Sequence, residues 1–338
     1  MTHTGVRYRL GIDLGTSYTA AAVLIDGVAE IAQLGNRHPE IPSLVFLRGD
    51  GETIIGDAAE RRGADEPDRL AREFKRRLAD SVPLLLGGTP FSAHALMARL
   101  VEGVVGRVQE INGGLPESLV VTHPANWGPY KRDLLVQSIR LAGLDSVELR
   151  PEPEAAAVWY ASTERLRIGE IIAVYDLGGG TFDAAVLRKT AERFELLGTP
   201  EGIEQLGGAD FDEAVFGHAL ASLGPIEDLG DPSDPDLVRA LARLHRECVE
   251  AKEALSFDTD AVIQVDLPGR RSRIRLNRGE FEAMISPRLA DTVAATRRAL
   301  AAAEVAPEDL SAILLAGGLA GMRAARGAAL PAEPPATT

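Results

Sequence analysis

Gly11-Ile12-Asp13-Leu14-Gly15-Thr16-Ser17 and Val174-Tyr175-Asp176-Leu177-Gly178-Gly179-Gly180-Thr181-Phe182-Asp183 are near-copies of one phrase, and their recurrence decides how this chain is read. The first copy is entered from Tyr8-Arg9-Leu10-Gly11-Ile12 and left through Thr19-Ala20-Ala21-Ala22-Val23-Leu24, so it forms the tip of a β-hairpin. Asp13 and Asp176 are too far apart in the chain for one loop. Their spacing suits equivalent turns of two related half-domains that face each other across a cleft.

Such a turn has a chemistry of its own. Glycine tolerates positive φ and lets the main chain approach a ligand, and successive backbone N–H groups in the bend form a concavity for an anion such as phosphate. An aspartate beside each loop would repel that phosphate unless a divalent cation lies between them. Magnesium suits the place, because it takes one or two carboxylates and fills its remaining positions with water and phosphate oxygens. One hairpin alone reads better as a glycine-rich turn with a capping aspartate. Two copies favour shared chemistry.

Further blocks follow: Val121-Thr122-His123-Pro124-Ala125-Asn126-Trp127, Arg150-Pro151-Glu152-Pro153-Glu154-Ala155-Ala156-Ala157, Leu206-Gly207-Gly208-Ala209-Asp210-Phe211-Asp212 and Ala251-Lys252-Glu253-Ala254-Leu255-Ser256. With the two hairpins, and in this order over residues 8 to 318, they resemble the ATPase domain of the heat-shock protein 70 (DnaK-type) chaperones. That family sits in the actin-like superfamily, which also holds sugar kinases. The resemblance implies an α/β actin-like ATPase fold, two lobes of duplicated ribonuclease-H-like cores around a nucleotide cleft. The first lobe is expected over 1–189, with core 6–39 and 116–189 and an inserted subdomain 40–115. The second is expected over 190–318, with core 190–228 and 304–318 and an inserted subdomain 229–303. Residues 319–338 form an atypical, Ala/Pro-rich tail, expected to be disordered.

Composition agrees. With 338 residues, 45% of them hydrophobic, the chain can bury roughly three quarters of its unfolded surface, enough for two cores. A net charge of −14 argues against nucleic acid and against an anionic membrane surface, both of which need a basic footprint. Cys248 is the single cysteine, so no internal disulfide can form, and its helical setting suggests a small buried hydrophobe. No leader-like apolar segment opens the chain and no run is long enough for a membrane helix, so the cytoplasm is expected.

Periodicity places the elements. A helix is predicted over Ser92 to Gln109, with Leu96, Leu100, Val104 and Val108 on one face. A strand follows at Ser118 to Thr122, then a helix opened by Pro129 and closed by Gly143, a strand at Ser146 to Leu149 and a helix opened at Pro153. Pro124 and Glu152 then fall just after strands, where open α/β sheets bind ligands. Later come a strand from Glu170 to Tyr175, a Pro/Asp-rich connector Gly224 to Pro235 and a helix around Arg243 to Leu255. Strands near Ala261 to Leu267 and Ser272 to Leu276, a helix Pro287 to Ala303 and a strand Ser311 to Ala316 complete the pattern.

The resemblance also implies site residues. Gly15, Thr16, Ser17 and Tyr18, with Gly178, Gly179, Gly180 and Thr181, hold the phosphates of ATP or ADP, while Asp13, Asp176 and Asp183 surround a hydrated Mg2+. Gly207, Gly208, Lys252, Ser256, Gly317 and Gly318 complete the nucleotide contacts. Lys75 reaches the γ-phosphate and the attacking water, and Glu152 lies near the magnesium waters. Asp13, Lys75, Glu152, Asp176 and Thr181 are the catalytic set, with water as nucleophile, since phosphoryl transfer asks for positioning and charge stabilisation. On the residues alone, Lys75 in Phe74-Lys75-Arg76-Arg77 reads as a solvated lysine of a mixed-charge run. Glu152 likewise reads as an N-cap for the Pro153 helix. Pro124 and Arg132 match family positions that relay nucleotide state, or are a loop proline and an exposed helix arginine.

Departures lie at the adenosine end. Val249 replaces a usual glutamate, Glu253 stands where an arginine often stacks on adenine, and Leu319 to Arg326 depart from the family's continuation. Weak turnover is therefore expected, in a domain that ends early and lacks a peptide-binding domain. The implied partners are nucleotide, a J-domain co-chaperone and a nucleotide-exchange factor; no nucleic acid, no membrane and a monomer are expected. The six histidines show no metal-ligand spacing. Two alternatives remain: an actin-like sugar kinase, which would lack the Glu-Pro-x-Ala-Ala-Ala and Gly-Gly-x-Asp-Phe-Asp blocks, and a nucleotide-binding regulatory or filament module with little turnover.

Overall fold

Alternating burial along Arg9–Leu14, with Leu10, Ile12 and Leu14 inward, makes the first phrase a strand with one face in the core. The computed structural model describes residues 7–164, 166–224, 231 and 234–319. Its contacts divide the chain into two units, Met1–Ala156 and Ala157–Thr338.

The first unit begins with the strands β1 (Arg9–Leu14), β2 (Tyr18–Ile25), β3 (Val28–Ile31) and β4 (Ile41–Pro42). After them come β5 (Val45–Leu47), β6 (Thr53–Ile55), helix α1 (Gly56–Gly63), β7 (Leu70–Ala71), β8 (Leu84–Leu86) and β9 (Thr89–Phe91). Helix α2 (Ala93–Asn112), β10 (Ser118–His123), α3 (Pro129–Leu141), β11 (Glu148–Pro151) and α4 (Glu152–Thr163) follow, α4 crossing the division. The main sheet runs β11-β10-β1-β2-β3, with β4 also on β2. β1 and β2 are antiparallel, while β10 and β11 lie parallel on the far side of β1. Ser92 caps α2 by accepting from the Ala95 amide, and Gly113, at φ 79, ends it in the left-handed conformation. Leu96, Leu100, Val104 and Val108 are each no more than 1% exposed, so the predicted face is the packed one. Each such side chain contributes about 1.5–3 kcal/mol by burial.

The second unit contains β12 (Ile171–Leu177), β13 (Phe182–Lys189), β14 (Phe194–Ile203), α5 (Gly208–Ser222) and α6 (Pro235–Ala254). The hairpin β15 (Asp260–Leu267) and β16 (Arg270–Asn277), helix α7 (Arg278–Ala302) and β17 (Ala312–Ala316) complete it. Its four-stranded sheet runs β14-β13-β12-β17, with an antiparallel meander and β17 parallel to β12. The first unit has the same arrangement, since its meander β1-β2-β3 also carries a parallel strand beside its first member. The repeated phrase thus marks a repeated topology.

Four details differ from expectation. β12 and β13, expected in the first lobe's core up to residue 189, are hydrogen-bonded to β17 and β14 in the second unit. Helix α7 begins nine residues before Pro287, because Asn277 and Glu280 form a reciprocal capping box that fixes the start. Pro287 sits inside and leaves the Ala283 carbonyl without its helical donor. Helix α6 starts at Pro235, capped by Asp234, well before Arg243. β11 lies two residues beyond Ser146–Leu149, because its register with β10 pairs Val120 with Glu148. The tail beyond Leu319 and most of the Gly224 to Pro235 connector lie outside the described residues. No helix among the described residues is long and apolar enough to cross a membrane.

Candidate functional site

In the first unit, the parallel register of β1 and β10 pairs Ile12 with Val121, so Asp13 and Thr122 fall side by side at the carboxyl ends of their strands. The Thr122 hydroxyl donates to Asp13 Oδ1 at 2.7 Å and fixes an exposed carboxylate. Beyond it, a Cβ on Gly15 would collide with the Tyr18 carbonyl. Ser43 braces the turn from behind. Its hydroxyl donates to the Gly15 carbonyl at 2.8 Å, its amide donates to the Ser17 carbonyl at 2.8 Å, and Thr19 Oγ1 lies 2.8 Å from its Oγ. Thr16 is buried, whereas Ser17 and Tyr18 are exposed.

Lys75 is not a solvated surface lysine. Glu73, at φ 55, turns the chain into a short 3₁₀ segment Phe74–Arg77, in which Phe74 and Lys75 are buried. The Lys75 ammonium donates to Glu152 Oε1 at 2.7 Å. Glu152 is the first residue of α4, and its carboxylate accepts this bond. Burial pushes the Glu152 pKa up; the Lys75 charge opposes this and nearby Asp13 adds to it. Asp13, Thr122, Lys75 and Glu152 therefore form one cluster.

Beside them, His123 Nδ1 lies 2.7 Å from the Pro124 carbonyl, which only accepts, so Nδ1 carries the proton. Burial lowers the His123 pKa; the Pro124 hydrogen bond opposes this, and the charges of Arg132 and Lys75 lower it further. Pro124 is buried and Arg132 is an exposed residue of α3.

In the second unit, Asp176 and Asp183 are register partners across β12 and β13, with Asp183 1% exposed. The turn closes when the Gly178 amide donates to the Thr181 carbonyl at 3.0 Å. The start of α5 docks on it: the Gly208 and Ala209 amides donate to the carbonyls of Gly178 and Gly179 at 3.1 and 2.8 Å. A Cβ on Gly207 would stand 2.5 Å from the Gly180 nitrogen, so only glycine permits this approach. Gly317, at φ 84, seats the end of β17 on the aspartate, where a Cβ would lie 2.5 Å from Asp176 Oδ1. Lys252, on α6, is buried and paired with Asp212 Oδ1 at 2.7 Å, and its Nζ lies 3.6 Å from the Cβ position of Gly208. Gly178, Gly179, Gly180, Gly207, Gly208, Lys252, Asp176, Asp183 and Gly317 are thus gathered in one place. Gly318 follows Gly317, and Ser256 lies in the turn after α6, its amide bonded to the Glu253 carbonyl at 3.1 Å.

The donor set fits a hydrated magnesium nucleotide. A Cβ would meet the Tyr18 carbonyl at Gly15 and the Gly180 nitrogen at Gly207, so the main chain stays bare at both turns, and each turn follows a strand carrying an aspartate. Among the described residues no three His, Cys, Asp or Glu side chains form a metal cage. Magnesium that keeps its waters asks for only one or two carboxylates.

The family model described as Hsp70 protein matches residues 79–326. The chain belongs to the Hsp70 family. Its relatives include the chaperone protein HscA homologs of Acidithiobacillus ferrooxidans, 33% identical over 95% of this chain and 53% of the relative, and of Azotobacter vinelandii, 34% identical over 92% and 52%. The heat shock 70 kDa protein BIP3 of Oryza sativa is 31% identical over 91% of this chain and 50% of its own length. The chain therefore spans about half the length of the curated relatives it matches.

Within this Hsp70-family chain, four functional neighbours escaped the sequence. Thr122 stood inside a quoted block but gained its role only from strand register. Asp212 and Trp127 also stood inside quoted blocks and gained their contacts only from distant segments, whereas Ser43 carries no local signature.

Proposed function

We propose that this chain binds and hydrolyses ATP as the nucleotide-binding domain of an Hsp70-type chaperone. The observation that carries this is the pair of glycine turns, each following a strand with an aspartate near its carboxyl end, in two sheets of matching topology. The same reading carries the actin-like fold with two lobes of ribonuclease-H-like cores and inserted subdomains at 40–115 and 229–303. Gly15, Thr16, Ser17 and Tyr18 donate to phosphate oxygens, as do Gly178, Gly179, Gly180 and Thr181. Gly207, Gly208, Lys252, Ser256, Gly317 and Gly318 hold the rest of the nucleotide.

Asp13, Asp176 and Asp183 would hold Mg2+ through its waters, and the ion would supply charge neutralisation between phosphate oxygens. Lys75, released from Glu152, donates to the γ-phosphate and orients the attacking water. Glu152 and Asp13 accept from waters nearby, and Thr181 adds a hydroxyl donor. Phosphoryl transfer needs this positioning rather than a covalent nucleophile. A J-domain co-chaperone and a nucleotide-exchange factor are proposed partners, and an acidic chain with one buried cysteine suits the cytoplasm. The HscA and BIP3 relatives favour this reading over a sugar kinase.

Calorimetric titration with ATP tests it. Binding is expected to tighten at least tenfold with magnesium, because the aspartates otherwise face phosphate charge unscreened. Equal or tighter binding in chelator contradicts the ion bridge, and no binding in either condition overturns the function.

A further inference from the structure

Trp127 lies just after β10, buried to 6% exposure, and two ammonium groups and an imidazole ring lie against it. The Lys75 ammonium stands 5.9 Å from its ring centroid, and the Lys131 ammonium, from α3, stands at the same distance. The His123 ring stacks on it at 6.4 Å and 15° between planes. A cation within about 6 Å of an aromatic centroid is attracted by the ring's negative face.

We propose that Trp127 is the positioning residue for the Lys75 ammonium, holding it ready to leave Glu152 for an incoming phosphate oxygen; this deepens the ATPase reading and rests on it. An ammonium buried beside a carboxylate alone would be costly to move, since leaving its partner strands a charge in a dry site. The indole face changes that. It stabilises the cation without a directed bond, so Lys75 can turn from Glu152 while remaining partly compensated. Lys131 adds a second positive charge at the same ring.

Two variants and two measurements test this. Trp127→Phe keeps a π face, and Trp127→Leu keeps only apolar volume. Single-turnover ATP hydrolysis is expected to fall about tenfold in the Leu variant with its ATP Kd within about twofold, and to stay within about threefold of the parent in the Phe variant. Equal rates in the two variants overturn the proposal, because general packing would move both alike. The second measurement is the NMR shift of the Lys75 ε-methylene in nucleotide-free protein, assigned by its loss in Lys75→Arg. An upfield ring-current shift in the parent that persists with Phe is expected, and its absence from the parent overturns the proposal even if the Leu variant fails to fold. A parent protein that shows the shift but hydrolyses no ATP refutes the ATPase reading and leaves the Trp127–Lys75 contact standing.

Discussion

The Lys75 ammonium lies 2.7 Å from Glu152 Oε1 across 77 residues of sequence, and it is the buried end of a chain of charges that reaches Asp13. The pair joins the 3₁₀ segment Phe74–Arg77 to the start of α4. A small titratable cluster is therefore tied both to stability and to the chemistry proposed for it.

Glu152→Gln should reveal that tie through pH. The folded protein holds the Glu152 proton more tightly than the unfolded chain, because burial raises the pKa. Stability from this group is thus fully present below the ordinary carboxylate value and is lost as pH rises through the raised one. Glutamine does not titrate. The Tm of Glu152→Gln minus that of the parent is expected to grow between about pH 4.5 and the raised value and then level off. A difference that stays flat across melts from pH 4.5 to 9 would show that Glu152 is not shifted upward.

Lys75→Ala should lower turnover by about 10²-fold or more while ATP affinity changes little, as for loss of one preorganised charge-stabilising donor. Single-turnover hydrolysis beside calorimetric affinity separates the two effects. Unchanged hydrolysis would return Lys75 to a purely structural pairing with Glu152.

Gly207→Ala and Gly217→Ala should act in opposite directions. The new methyl at 207 would meet the Gly180 nitrogen at 2.5 Å, so the second turn must open, at about 1–3 kcal/mol and with weakened ATP binding. Gly217 lies inside α5 with open space around its Cβ position, so alanine there should add about 0.5–1 kcal/mol by helix propensity. Urea unfolding measures both, and a neutral Gly207→Ala would mean that α5 does not press on the turn.

Cys248 should be silent in the native state. Burial, helped by the charges of Asp212, Glu247 and Glu213, pushes its thiol up to about 12. Thiolate is the reactive form, so iodoacetamide at pH 8.5 should leave the native protein unlabelled and modify it quickly in urea. Rapid labelling of native protein would place Cys248 nearer solvent than the packing of α6 allows.

Much of this protein was legible along the chain. The two phrases marked the hairpins, the four-residue rhythm from Leu96 to Val108 marked the packed face of α2, and Pro129 with Gly143 bracketed α3. Those signals are local: backbone preferences and side-chain periodicity are written within one or two turns of an element. Even local signals conflict, as where Pro287 suggested a helix start that the Asn277–Glu280 capping box had already made. Other features needed the fold. Lys75 sits in a run of charges that reads as solvent-facing, and its burial rests on groups brought from afar, Glu152 and Trp127 among them. Ser43 behind the first turn and Asp212 beside Lys252 are ordinary polar residues until strand and helix packing sets them within hydrogen-bonding reach. Membership of β12 and β13 in the second unit was likewise settled by which strands pair. Pairing and burial depend on where distant segments meet, and no periodicity within one segment encodes its partner.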